Sequence, residues 1–133
     1  MLEGWNRRSA EAFAAGFLDD GVAIGFDGSQ HLERAQLVSD LARIFADHPT
    51  GRYVGKIRDV RLLTPEVGVL RAVVGMVPAG RSDIEPKLNA IQSVVVLKSE
   101  GRWRIALMQT TPAQLHGRPE LVDAMTEELR SLL

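Results

Sequence analysis

The chain has no cysteine, which excludes disulfides, thiolate metal sites and thiol catalysis. It has almost no charge imbalance: 16 Lys and Arg against 17 Asp and Glu leave a formal net charge of −1. No global field is therefore available to hold nucleic acid or an anionic membrane. No apolar run approaches the roughly 18 residues of a membrane-spanning helix, and the N-terminus lacks the basic-then-apolar pattern of a secretion signal. These absences lead to the expectation of a soluble, cytoplasmic protein with no nucleic-acid or membrane partner. Also missing are a phosphate loop, a dinucleotide fingerprint and an H-E-x-x-H zinc pattern. The three histidines, His31, His48 and His116, show no ligand spacing. The expected metal and cofactor complement is none.

What is present is ordinary for a globular protein, with 45% hydrophobic and 25% charged residues in a chain of 133. That length predicts one domain, residues 1–133, able to bury about two-thirds of its unfolded surface. Met1 to Phe17 reads as helix broken at Ser9, an N-cap type, with Ala10 to Phe17 as a second short helix. Asp19-Asp20-Gly21 reads as a turn before a strand over Val22–Asp27. Leu37, Leu41, Ile44 and Phe45 form the apolar stripe of a helix from Leu32 to Ala46, with Asp40 and Arg43 largely outside it. Strand patterns follow over Tyr53–Leu63 and over the valine-rich Val67–Val77. A hairpin, Leu88–Leu97 with Trp103–Thr110, turns at Ser99-Glu100-Gly101. Pro119 opens a last amphipathic helix to Leu132. Early helices before an antiparallel meander indicate an α+β fold, and long strands with internal glycines should curl into a cone with a pocket.

Few residues carry candidate chemistry. Asp27 ends an apolar strand; it either starts a turn or serves as a general base in the pocket, where apolar walls would raise its pKa. Asn89 and Gln92 interrupt one strand and Gln109 the next. Their amides are either satisfied internally or face a wet pocket or an interface. Strand parity separates Asn89 from Gln92, and groups Trp103, Ile105, Leu107 and Gln109 on one face, so an inward Trp103 brings Gln109 inward. Trp5, Tyr53 and Trp103 are core residues first and ligand platforms second.

Leu88-Asn89-Ala90-Ile91-Gln92, Gly101-Arg102-Trp103-Arg104-Ile105-Ala106-Leu107 and the run Gln109 to Glu120, which contains His116-Gly117-Arg118-Pro119, resemble the SgcJ/EcaC family. These are SnoaL-like proteins of the nuclear transport factor two-like superfamily. Trp5-Asn6, Ala12-Phe13 and Gly25-Phe26-Asp27-Gly28 extend the resemblance over essentially the whole chain. The resemblance implies a cone-shaped curved mixed sheet wrapped around N-terminal helices, with a C-terminal helix, and a homodimer packed through the sheet. His116, within that run, joins Trp5, Tyr53, Asn89, Gln92, Trp103 and Gln109 as a ligand-contact candidate. Relatives carry a longer first helix, so a trimmed start that opens one wall of the cone is expected.

The superfamily hosts isomerases, cyclases, dehydratases and binders, so the fold does not dictate a reaction. In ketosteroid isomerases the base is a carboxylate where Asp27 stands. Their oxyanion tyrosine has no counterpart on the first helix here, and their second acid falls near Gln92 or Ser93. The expected function is a pocket protein of polyketide or enediyne-type secondary metabolism. It would assist cyclisation or proton transfer of a hydrophobic small molecule, or carry it, with Asp27 as base if it is an enzyme. The alternative is a non-catalytic dimeric interaction or structural module, which predicts Asp27 in a turn and an apolar patch apart from the dimer face. The dimer expectation rests on Val73, Val77, Val94, Val96, Ile105 and Leu107 exceeding what one covered sheet face absorbs.

Overall fold

The computed structural model describes residues 1–133. Two short helices, α1 (Leu2–Asn6) and α2 (Ala10–Ala14), lead into β1 (Phe17–Ile24), the two-residue β2 (Gln30–His31) and α3 (Arg34–Asp47). Four long strands follow: β3 (Arg52–Thr64), β4 (Val67–Val77), β5 (Ala90–Ser99) and β6 (Arg102–Pro112). Helix α4 (Pro119–Arg130) closes the chain, and a single 3-10 turn over Pro86–Leu88 precedes β5. The strands form one sheet in the order β2-β1-β6-β5-β4-β3. β1 runs parallel to β6 while every other pairing is antiparallel, so the sheet is mixed.

Local chemistry explains the elements. The Ser9 hydroxyl accepts the Ala12 N–H at 3.1 Å and starts α2. Gly4 lets α1 lie on α2, because a Cβ there would sit 2.4 Å from the Phe13 nitrogen. The β5–β6 loop is the two residues Glu100 and Gly101, both at positive φ (53° and 75°). That geometry matches the twist of the flanking strands.

Two local readings need correction. Helix α2 stops at Ala14, so Phe17 is a strand residue. Asp19-Asp20-Gly21 lies inside β1 as an irregularity in its pairing with β6. Gly21 is required there for close approach, since a Cβ would sit 2.7 Å from the Ile105 carbonyl oxygen.

The sheet has two differently used faces. On the inner face α1, α2 and α3 pack Phe13, Leu37, Leu41 and Phe45 against Phe17, Val94 and Met108. Trp5 stands edge-on to Phe13, Phe45 and Tyr53, with ring centroids 6.2, 5.2 and 5.2 Å away, and its indole N–H donates to the Gly51 carbonyl at 3.0 Å. Asn6 extends β3 as a strand would: its Nδ2 donates to the Tyr53 carbonyl and its Oδ1 accepts the Tyr53 N–H, at 2.9 and 2.7 Å.

On the outer face α4 covers β3 and β4, burying Leu129 with Val73, Val77 and Ile84. Helices therefore lie on both faces, not one, and Val73 and Val77 are spent under α4. Val94 belongs to the inner core, and Val96 and Ile105 pack against it. Of the apolar surplus expected to form a dimer face, Leu107 alone stays on the open outer face, paired across the strands with Val95 and Val22. Ile91 is exposed on that face too, but the most exposed apolar strand residues lie elsewhere. Ile57, Val60 and Leu62, at 57%, 60% and 60% exposure, continue the inner face along edge strand β3 beyond the helices.

Candidate functional site

The helices do not fill the inner face. A cavity of about 260 Å³ remains between α3 and the sheet, which is the liquid volume of roughly nine waters. Its apolar wall includes Trp5, Phe13, Ala23, Leu37, Leu41, Ile44 and Met108. Polar atoms enter from the turn after β1 (Asp27, Ser29), from β2 (His31), β3 (Tyr53), β5 (Gln92) and β6 (Thr110).

His31 in this wall is hydrogen-bonded to Asp40 behind it. Asp40 Oδ2 lies 2.7 Å from His31 Nδ1, and both side chains are largely buried. The other Asp40 oxygen accepts from Arg43 Nη2 at 2.7 Å. The Asp40 pKa is lowered, first by the hydrogen bond with His31 and then by the charges of His31 and Arg43. An ionised carboxylate only accepts hydrogen bonds, so Nδ1 is the donor of this pair, and the neutral tautomer of His31 that fits it has Nε2 as its acceptor nitrogen. No protein group bonds Nε2.

Neither residue stood out in the sequence. His31 sits on a strand of two residues, too short for a periodic signal. Asp40 lies largely outside the α3 stripe, yet it follows Leu37 by three residues and precedes Ile44 by four, which places it on the stripe's margin. That spacing is the signal that would have found it.

Tyr53 lines the cavity with its hydroxyl free of protein partners, and burial raises its pKa, so the phenol stays neutral and able to donate. Gln92 faces the same space, its Nε2 donating to Thr110 Oγ1 at 3.3 Å. Trp5, Tyr53, Gln92 and Asp27 are thus the expected candidates that meet at one cavity.

Asp27 lines the cavity with one of its carboxylate oxygens tied into its own turn. Its Oδ1 accepts the Ser29 backbone N–H at 2.9 Å, closing the turn in which Gly28 adopts φ 88°. That hydrogen bond is the main reason its pKa is lowered, the opposite of the expected rise. β1 ends at Ile24, three residues short of Asp27, so the carboxylate belongs to the turn.

Four other candidates lie outside the cavity. Asn89 is buried against α4, donating to Thr126 Oγ1 at 2.9 Å, and its Oδ1 has no partner. Gln109 is exposed on the outer face. The reason is a bulge: Val95 pairs Leu107 but Val96 pairs Ile105, so Ala106 is extra and the alternation reverses. Ile105, Met108 and Thr110 therefore face inward, and Gln109 outward. Trp103 stands at the hairpin end, 42% exposed. His116 is exposed in the loop between β6 and α4. No three His, Asp or Glu side chains converge to hold a metal ion.

Comparison with known proteins bears on the fold. No family model matches the chain, and no curated protein matches it. Solved structures do. A domain of unknown function with a cystatin-like fold from Nostoc punctiforme superposes with a TM-score of 0.83 at 23% identity, covering 93% of this chain and 77% of that one. An NTF-2 like protein of unknown function from Shewanella oneidensis has a TM-score of 0.68 at 16% identity, covering 83% and 88%. A ketosteroid isomerase-like protein from Erwinia carotovora atroseptica has a TM-score of 0.65 at 19% identity, covering 85% and 88%. The chain therefore has the NTF2-like, cystatin-like fold of these structures.

Proposed function

We propose that the chain is a small-molecule pocket protein whose cavity takes a compact, largely apolar ligand bearing one or two oxygen groups. The observation that carries this reading is the cavity itself: about 260 Å³ and mostly apolar in lining, with His31, Tyr53 and Gln92 in its wall, each keeping a polar atom that no protein group bonds. Sparse, convergent polar groups on apolar walls are the usual plan of such sites. The volume suits one or two rings. The resemblance to the SgcJ/EcaC family supports a role in polyketide or enediyne-type secondary metabolism, assisting a cyclisation or proton transfer or carrying an intermediate.

Native mass spectrometry of protein purified from its producing cells tests the reading. A co-purifying metabolite lost in a cavity-filling Ala23→Leu variant supports it. A wild-type protein that retains no small molecule and binds none from a metabolite extract contradicts it.

A second reading, a non-catalytic interaction module, is favoured by the exposed apolar lip Ile57, Val60, Leu62 and Leu63 on edge strand β3. The same lip supports a homodimer formed through the sheet. Light scattering at micromolar concentration separates the two. A twofold mass, returning to the monomer in Val60→Lys, supports self-pairing, whereas a monomeric wild type leaves the lip to another protein. No helix is long and apolar enough to cross a membrane.

A further inference from the structure

We infer that His31, oriented by Asp40, is the proton acceptor of this cavity, and that the ligand it selects is a neutral one- or two-ring compound with a weakly acidic hydroxyl, a phenol or an enol. The inference deepens the pocket reading and rests on it. Each part follows from the wall. Asp40 accepts from Nδ1 at 2.7 Å, which fixes the ring orientation and, in the neutral ring, makes Nε2, which has no protein partner, the acceptor. An acceptor at an apolar wall is satisfied by a ligand that brings its own O–H.

The rest of the lining argues against other polar classes. No Lys or Arg side chain lines the cavity, so nothing there matches a carboxylate or phosphate ligand. The aromatic walls of Trp5, Phe13, Phe26 and Tyr53 suit a flat ring. Asp27, the remaining charged group of the wall, has its Oδ1 engaged in its own turn.

The proton step balances without a co-reactant. The ligand O–H bond breaks, its electron pair stays on oxygen, and the proton passes to His31 Nε2. The resulting imidazolium lies against the Asp40 carboxylate, and Tyr53, in the same wall, has a hydroxyl with no protein partner. Asp40 is a positioning residue, acting on the ligand only through His31. The titratable groups around His31 are Asp27 from the turn after β1, Asp40 with Arg43 from α3, and Tyr53 from β3. α1, α2, β5 and β6 contribute none to the wall.

The test uses para-nitrophenol, whose ionised form absorbs at longer wavelength than its neutral form, and para-nitroanisole, the same ring with its hydroxyl methylated. Binding of each is titrated against wild type, His31→Gln and Asp40→Asn, with circular dichroism confirming the fold. The expected result is that wild type binds the phenol about ten-fold more tightly than the ether, close to 1.4 kcal/mol. The bound phenol should show the spectrum of its ionised form at a pH where the free phenol is neutral. His31→Gln should bind both probes alike, with no spectral change. Asp40→Asn should keep the ether affinity and lose most of the spectral change.

If the ether binds but the phenol binds no better and stays neutral, the proton-acceptor inference is overturned while the pocket reading stands. If neither probe binds wild type, the pocket reading fails and this inference with it. If His31→Gln does not fold, the Asp40→Asn spectrum decides alone, and a spectral change equal to wild type overturns the role given to the pair.

Discussion

Leu129 and Gln92 lie on opposite sides of the same sheet and show two ways of using it. Leu129 is fully buried, packed among Val73, Val77 and Ile84, and beside it Asn89 is tied to Thr126. That side is a sealed joint, whose polar groups serve to hold a helix in place. Gln92 is equally covered, but it opens onto space that helices α1 to α3 do not fill, shared with His31 and Tyr53. Small side chains such as Ala23 leave the gap on one side, while Leu129 of the amphipathic α4 closes the other. On the function proposed above, the outer face serves stability and the inner one binding.

The sharpest way to break that division is Leu129→Ala. It leaves a cavity in the sealed joint and should cost about 2–5 kcal/mol, read as a fall in the urea midpoint. Affinity for para-nitroanisole should be unchanged at temperatures where the variant stays folded. Next comes Asn89→Ala, which removes the bond to Thr126 and should cost about 1–3 kcal/mol. Gln92→Leu, of similar size but on the cavity side, should cost less in stability and change ligand affinity more. Equal stability losses for Asn89→Ala and Gln92→Leu, with no change in binding for either, would erase the distinction.

A smaller effect is expected from acid. Glu128 anchors α4 to β3 through Lys56 and Arg58, and the bond from Arg58 is the main cause of its lowered pKa. A folded-state pKa below the unfolded value gives stability that is present at neutral pH and lost as pH falls through the folded value. The urea midpoint should therefore drop as pH falls below about 4.3, and Glu128→Gln should flatten that drop. Asp27→Asn should do least, because the amide oxygen can still accept the Ser29 N–H. Unchanged fold and unchanged probe binding are expected, and a loss of binding would return Asp27 to the site.

The parts of this division that rest on periodicity were legible in the sequence. The α3 stripe, α4 from Pro119, the valine-rich β4 and the Glu100-Gly101 turn all follow from spacing and turn chemistry over many residues. The cone itself was legible through long strands with glycines and through the family resemblance. What failed depended on single residues. One extra residue at Ala106 sends Gln109 to the outer face, and alternation cannot reveal a bulge. Asp19-Asp20-Gly21 has turn composition, yet its glycine serves a close approach to β6. His31 and Asp40 are nine residues apart on different elements, and only the packing of α3 on β1 and β2 brings them together.

The central claim, that the inner face holds a ligand cavity and the outer face a packed joint, is tested most directly by calorimetric titration of para-nitroanisole into wild type, Ala23→Leu and Leu129→Ala. One site per chain in wild type and Leu129→Ala, with binding lost in a folded Ala23→Leu, is the predicted result. No binding to wild type, or binding to Ala23→Leu as strong as to wild type, would contradict it.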